Sequence, residues 1–288
     1  MRWRGREQSQ NVEDRRGVSP AAAIGGGGIG LVILVVVALL AGDNDALMKL
    51  VGQAQQNQVQ QQQAPGGQKD DDAKEFISVV LHDTEEVWTK LFETNVRGGS
   101  YKRPKLILFS GSVRSACGNA SAAVGPFYCP ADQQVYIDPG FFDELRTRHN
   151  AEGDFAQAYV IAHEVAHHVQ KQLGFSDRVN QIRQNGNKLE SNRASVRLEL
   201  QADYLAGVWA HHAQKKFNIL DEGDIEEAIN AANQIGDDTL QKQATGNVIP
   251  ERFTHGTSRQ RAHWFRQGLI TGDFNACQEL FDLPYDSL

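Results

Sequence analysis

Two short runs, His163-Glu164-Val165-Ala166-His167 and Glu199-Leu200-Gln201-Ala202-Asp203, constrain this chain more than anything else in it. On a helix, residues four apart stack on one face, so His163 and His167 can turn two imidazoles toward one ion. Glu164 lies about 100° around the same helix, where a carboxylate reaches a water beside that ion without ligating it. Any fold of this chain must therefore press the first helix against a second element that supplies a further ligand.

The local sequence supports both helices. Phe155, Tyr159, Val160 and Ala162 form an apolar stripe ahead of the first motif, Asp154 is a candidate N-cap, and Gly174 supplies a stop. In the stretch from Ser191 to Lys215, Glu199, Ala202, Asp203 and Ala206 share one face, and the small alanines permit close approach. A catalytic zinc needs three protein ligands and an open position, and Glu199 is the best third candidate. Asp203, one turn on, is placed to accept the second ring N–H of a ligand histidine. Taken alone, a Glu-x-x-x-Asp pair is more often a solvated helix face. Its apolar neighbours Leu198, Leu205 and Val208 make an unpaired carboxylate costly here, and metal binding explains it.

Together these residues resemble the neutral zinc metallopeptidases, a family of membrane-anchored bacterial proteins. The likeness runs over nearly the whole chain. It takes in the Arg-rich start from Met1 to Arg6, Cys117-Gly118 through Gly125-Pro126-Phe127-Tyr128-Cys129-Pro130, Val135 to Asp138, both motifs, and His255-Gly256-Thr257-Ser258. The resemblance implies a zincin-like peptidase with His163, His167 and Glu199 as zinc ligands and Glu164 as the catalytic base. The family pattern carries a cysteine after Gln-Ala-Asp where this chain has Tyr204, so a bridge open to relatives is missing and Cys277 lacks that partner.

The uncharged run from Ala21 to Ala41 is about 31 Å long as a helix, enough for a hydrocarbon core of roughly 30 Å. Arg2, Arg4, Arg6, Arg15 and Arg16 precede it, whereas Lys49 is the first basic residue after it. That bias predicts an uncleaved single-pass anchor with the N-terminus in the cytoplasm and the C-terminal domain on the outer side. Leu39 fits a signal-peptidase site after Ala41 badly. The resulting division is a basic tail (1–20), a transmembrane anchor (21–42), a polar Gln-rich linker (43–72) and a metallopeptidase domain (73–288). The expected partners are a peptide or protein substrate near the membrane and lipid around the one helix. Gly26 and Gly30 form a small-x-x-x-small pair, on which a homodimer would rest with no other support. With a net charge of -7 and no basic stripe after residue 16, nucleic acid is excluded as a main partner.

For the domain itself the patterning predicts an α+β fold, mainly helical with a small mixed or antiparallel sheet. Asp72 is a candidate cap for a helix through Phe76, Val80, Val87 and Leu91 that ends at Gly98-Gly99. Residues 105–110 and 134–138 read as strands expected to pair antiparallel above the cleft. Asp224 opens another amphipathic helix, and Thr257-Ser258-Arg259-Gln260 resembles a capping box. The polar stretch from Ser176 to Glu190 reads as a mobile excursion, either a lid or an ordinary surface loop. In an external domain, Cys117 and Cys129 are the candidate disulfide, leaving Cys277 as a buried thiol or an intermolecular partner.

His255 has two readings: a catalytic group that stabilises an oxyanion, or a loop histidine that orders its turn. His168, His211 and His212 lack the spacing to join the ligand pair and are expected to be structural, and Tyr204 to be a packing residue. The function these features predict is metal-assisted peptide hydrolysis with one catalytic zinc. Two rivals share the ligands: a zinc-containing binding or assembly module without turnover, and an amidase acting on a non-peptide envelope substrate.

Overall fold

The computed structural model describes residues 1–17, 68–148 and 150–288. Its chain order begins with strand β1 (Val12–Asp14), followed by helix α1 (Gln68–Asn95) and strand β2 (Lys105–Leu108). A hairpin of β3 (Ser112–Ser115) and β4 (Gly118–Ser121) leads to β5 (Phe127–Cys129) and β6 (Gln134–Ile137). Helices α2 (Gly140–Thr147), α3 (Asp154–Gln172), α4 (Phe175–Asn185) and α5 (Lys188–Phe217) come next. Helices α6 (Asp224–Gln234), α7 (Asp237–Thr245) and α8 (Ser258–Thr271) complete the α layer. The architecture is α+β, with a small sheet against a helical majority.

The main sheet has the order β1-β2-β6-β5. The pairing of β2 with β6 is parallel, Leu106 opposite Val135 and Leu108 opposite Ile137, rather than the antiparallel pairing expected. The reason is topological: the β3–β4 hairpin and β5 lie between the two strands, so the chain returns to enter β6 in the direction of β2. Only β5 runs antiparallel to β6.

The N-terminal residues belong to this same body. β1 pairs in parallel with β2, Val12 opposite Leu106. Trp3 is buried against Phe76 of α1, with ring centroids 5.3 Å apart, and the Arg6 guanidinium grips the buried Asp83 carboxylate through two hydrogen bonds. The Met1 ammonium sits between Asp154 and Asp224, and the Ser9 hydroxyl donates to the buried Glu85 at 2.7 Å. The expected basic N-terminus (1–20) thus contributes a strand to the same sheet as the expected domain (73–288). The anchor at 21–42, the Gly26/Gly30 pair and the linker up to residue 67 lie outside the described residues. No helix among the described residues is long and apolar enough to cross a membrane.

Several boundaries differ from expectation for local reasons. Helix α1 begins at Gln68, so Asp72 lies inside it instead of capping it. Gly153 occupies the N-cap position expected for Asp154, whose carboxylate is engaged elsewhere, whereas the helix expected to open at Asp224 does so. The stretch from Ser176 to Glu190 is helical: α4 buries Val179, a turn at Gly186 follows, and Asn187 with Glu190 forms a capping box that starts α5. The capping box of Thr257 and Gln260 is present as expected.

The core is built around α3, whose residues from Phe155 to Ala166 are all buried except Gln157. It packs on α5, α6 and α1. Helix α5 in turn crosses α8 at van der Waals limit. A Cβ on Gly207 would fall 2.1 Å from Phe265 O, and one on Gly268 would fall 1.9 Å from Tyr204 O, so only glycine permits the crossing. That crossing brings Arg261 of α8 beside Tyr159 and His163 of α3.

Candidate metal centre

His163 and His167 lie on the face of α3 that meets α5, and Glu199 faces them from α5. Glu199 Oε2 is 3.2 Å from His163 Nε2 and 3.5 Å from His167 Nε2. Ligand atoms 2.0–2.1 Å from a common tetrahedral centre stand about 3.3 Å apart, so both Glu199–imidazole distances match the spacing that zinc requires. Two imidazoles and a carboxylate are also a donor set that zinc accepts. The residues present fit the ion.

The far side of each imidazole is held by a partner that leaves Nε2 for the ion. His163 Nδ1 donates to Asp203 Oδ1 at 2.8 Å. His167 Nδ1 donates to Gln170 Oε1 at 2.8 Å, and the Gln170 amide donates to Leu198 O and Gln201 Oε1. Fixing Nδ1 in this way sets the tautomer and the ring plane and makes the imidazole a better ligand.

Asp203 is the hub of a buried network. Its Oδ1 also accepts from Tyr159 OH at 2.5 Å, and Arg261 donates Nε to Oδ2 at 2.9 Å and Nη2 to Oδ1 at 3.1 Å. Burial favours the neutral acid, but Arg261 and His163 outweigh it and hold the Asp203 carboxyl down to about 2. Burial likewise opposes the imidazolium of His163, yet Asp203 and Glu199 lift it to about 10. Burial also works against the Glu199 carboxylate, and the two histidines overcome it to hold Glu199 well below its ordinary value.

The donors open into a cavity of about 520 Å³ whose wall includes Glu164, Tyr128, Phe127, Phe141, Val160 and His255. Glu164 is on the cavity side of α3, one residue from His163, as its helical position predicts. His255 is half exposed at the mouth, its Nδ1 held by Asp237 Oδ1 at 3.1 Å. Asp237 in addition accepts the backbone N–H groups of Thr254, His255 and Gly256, which fixes the loop that carries the imidazole. Hydrogen bonding to Asp237 raises the His255 pKa against the effect of burial. Both expected features of His255, the turn and the cleft, thus coexist in one residue.

His168, His211 and His212 are framework. His168 joins Tyr128 OH to Lys102 O and ties α3 to β5, while His211 and His212 bond carbonyl oxygens at the end of α8. Cys117 and Cys129 form the disulfide, with Cα atoms 5.8 Å apart, and secure the β3–β4 hairpin to the end of β5 beside the cavity. Cys277 is a buried free thiol, pushed up to about 12 chiefly by that burial. Tyr204 packs against Trp264 and donates to Asp273 O at 2.7 Å.

Three residues of the site escaped the sequence reading: Arg261, Gln170 and the hydroxyl of Tyr159. Gln170 carried a signal, since a polar residue three positions after His167 shares its helix face. Tyr159 stands one turn before His163 and was read only as part of an apolar stripe. Arg261, 58 residues from Asp203, carried none.

Comparison with known proteins agrees with this geometry. The model of the family described as "Putative neutral zinc metallopeptidase" matches residues 1–280. The chain belongs to this family. It is 48% identical over 283 residues to "Uncharacterized protein YpfJ" of Escherichia coli (strain K12), covering 96% of this chain and 98% of that relative. It is 46% identical over 187 residues to "Uncharacterized protein Mb2605" of Mycobacterium bovis, covering 62% of each chain. No solved structure matches it. Membership in a zinc metallopeptidase family and the His163, His167, Glu199 cluster point to the same metal.

Proposed function

We propose that this chain is a zinc-dependent peptidase in which His163, His167 and Glu199 hold the ion and Glu164 is the general base. The observation that carries the reading is the zinc-like spacing of Glu199 from both imidazoles, each imidazole locked from behind, with Glu164 beside them on the cavity wall. Zinc supplies Lewis acidity there, polarising a carbonyl oxygen and acidifying a water.

The protein's own groups do the rest. Glu164 takes the proton of the attacking water and delivers it to the leaving nitrogen. His255, steadied by Asp237, donates a hydrogen bond to the carbonyl oxygen as it gains negative charge. β5 ends the sheet, so the edge it turns away from β6 offers backbone groups to an extended peptide, next to Phe127 and Tyr128 on the cavity wall. The uncharged run 21–41 makes a bilayer the setting we propose for the reaction.

The test is to incubate the zinc-loaded full chain with a diverse peptide library. Defined cleavage that chelation abolishes and added zinc restores supports a peptidase. Full zinc retention without cleavage of any peptide contradicts it.

A further inference from the structure

A second cavity, of about 540 Å³, adjoins the candidate metal centre and shares Glu199 and His255 with the first. Its other walls come from the last turn of α4, the first two turns of α5 and the loop at Thr254. The first cavity is walled by Val124, Phe127, Phe141, Val160 and Leu240, whereas the second is walled by Arg183, Lys188 and Ser195. The cleft thus has an apolar arm and a cationic arm that meet at Glu199 and His255.

Among the described residues the two cations have no counter-ion of their own. Arg183 spends Nε and Nη2 on a single neutral atom, Ser195 Oγ, at 3.1 and 2.8 Å, and forms no ion pair. Among the described residues Lys188 forms none either. In a chain of net charge -7, two uncompensated cations beside a metal ligand create a local positive field that an anionic group would neutralise. The Ser195 contact fixes the guanidinium plane, and a guanidinium so held is suited to bidentate recognition of a carboxylate. The turn at Gly186 and the Asn187–Glu190 capping box fix α4 against the start of α5, so both cations are presented on rigid elements.

We infer that this cationic arm is a substrate subsite for a carboxylate, either the α-carboxylate of a peptide C-terminus or an Asp or Glu side chain. The inference rests on the peptidase reading and specifies its substrate class: a peptide with an apolar side chain on one side of the cleaved bond and an anionic group on the other. Ser195 is one turn before Glu199 on α5, a rise of about 6 Å. An extended peptide covers that distance in about two residues, which places the carboxylate within about two residues of the scissile bond.

The experiment measures peptide binding to the zinc-loaded full-length chain carrying Glu164→Gln, so that turnover does not consume the probe. Three fluorescent peptides share one apolar sequence: one with a free C-terminal carboxylate, one amidated, and one amidated with a Glu two residues from the end. At least one carboxylate-bearing peptide should bind about tenfold more tightly than the amidated apolar one, the effect of a single charge-assisted hydrogen bond. Which of the two gains identifies the source of the carboxylate. Adding Arg183→Gln and Lys188→Gln should abolish the preference while zinc content stays the same. Equal binding of all three peptides, or a preference that survives the two substitutions, overturns this inference alone. A chain that holds no zinc, or a zinc-loaded chain that binds no peptide, overturns the proposed function and the inference with it.

Discussion

Asp203 Oδ1 lies 2.8 Å from His163 Nδ1, a fully buried carboxylate bonded to the back of an imidazole proposed as a metal ligand. The bond leaves His163 Nε2 directed at Glu199 and makes the ring more basic. Replacing Asp203 with Asn should therefore weaken zinc binding about 10–100-fold, read by competition with a chromophoric chelator. An unchanged affinity would mean that packing alone orients the ring.

Arg261 answers Asp203 from α8 and is itself buried. Arg261→Met removes the one guanidinium that the described residues give that buried carboxylate and leaves it to His163 and Tyr159 alone. The expected cost is about 3–5 kcal/mol, measured by denaturant unfolding of the zinc-free chain. A loss below about 1 kcal/mol would show that the network is not sealed from water.

Residues 1–17 complete the sheet and neutralise buried acids. A chain started at residue 68 loses β1 from the edge of β2, uncovers the site of Trp3 and leaves Asp83 without Arg6. It should unfold at markedly lower denaturant, by at least about 3 kcal/mol from the buried ion pair alone. Supplying a peptide of residues 1–17 should restore part of that loss. A truncated chain as stable as the full one would detach the N-terminus from the fold.

These contrasts show what the linear pattern carried. His163, Glu164 and His167 were legible because one helical turn relates them, and Glu199 because its face and apolar neighbours recur at helical spacing. Arg261 was not, because nothing near it in sequence marks it, and only the glycine-mediated crossing of α5 and α8 brings it to Asp203. β1 was hidden in an Arg-rich start: its three residues, Val12–Asp14, are too few to show a strand's alternation. The parallel pairing of β2 with β6 was misread because two segments of similar composition do not disclose their relative direction. The polar stretch after Gly174 read as a loop since α4 is a surface helix whose core contact rests largely on Val179.

Asp237 makes a pH prediction. Burial favours its neutral form, but His255 and the backbone N–H groups prevail and keep its carboxyl below the ordinary value of 3.8. A depressed folded value means that the stabilisation is complete above about pH 4 and is lost as pH falls through that folded value. Asp237→Asn should thus be about 1–2 kcal/mol less stable than the parent at neutral pH, with the gap narrowing below about pH 4. Thermal unfolding of both proteins across that range is the measurement, and a gap independent of pH would contradict it.

The role of Glu164 tests the account most directly. Zinc content and peptide cleavage are to be measured side by side for the full chain and its Glu164→Gln variant, both loaded with zinc. The account predicts one zinc per chain in each and a rate at least about 10²–10⁴-fold lower in the variant, because the ligands are intact and the general base is gone. Cleavage that persists at the parental rate in the zinc-loaded variant would contradict it.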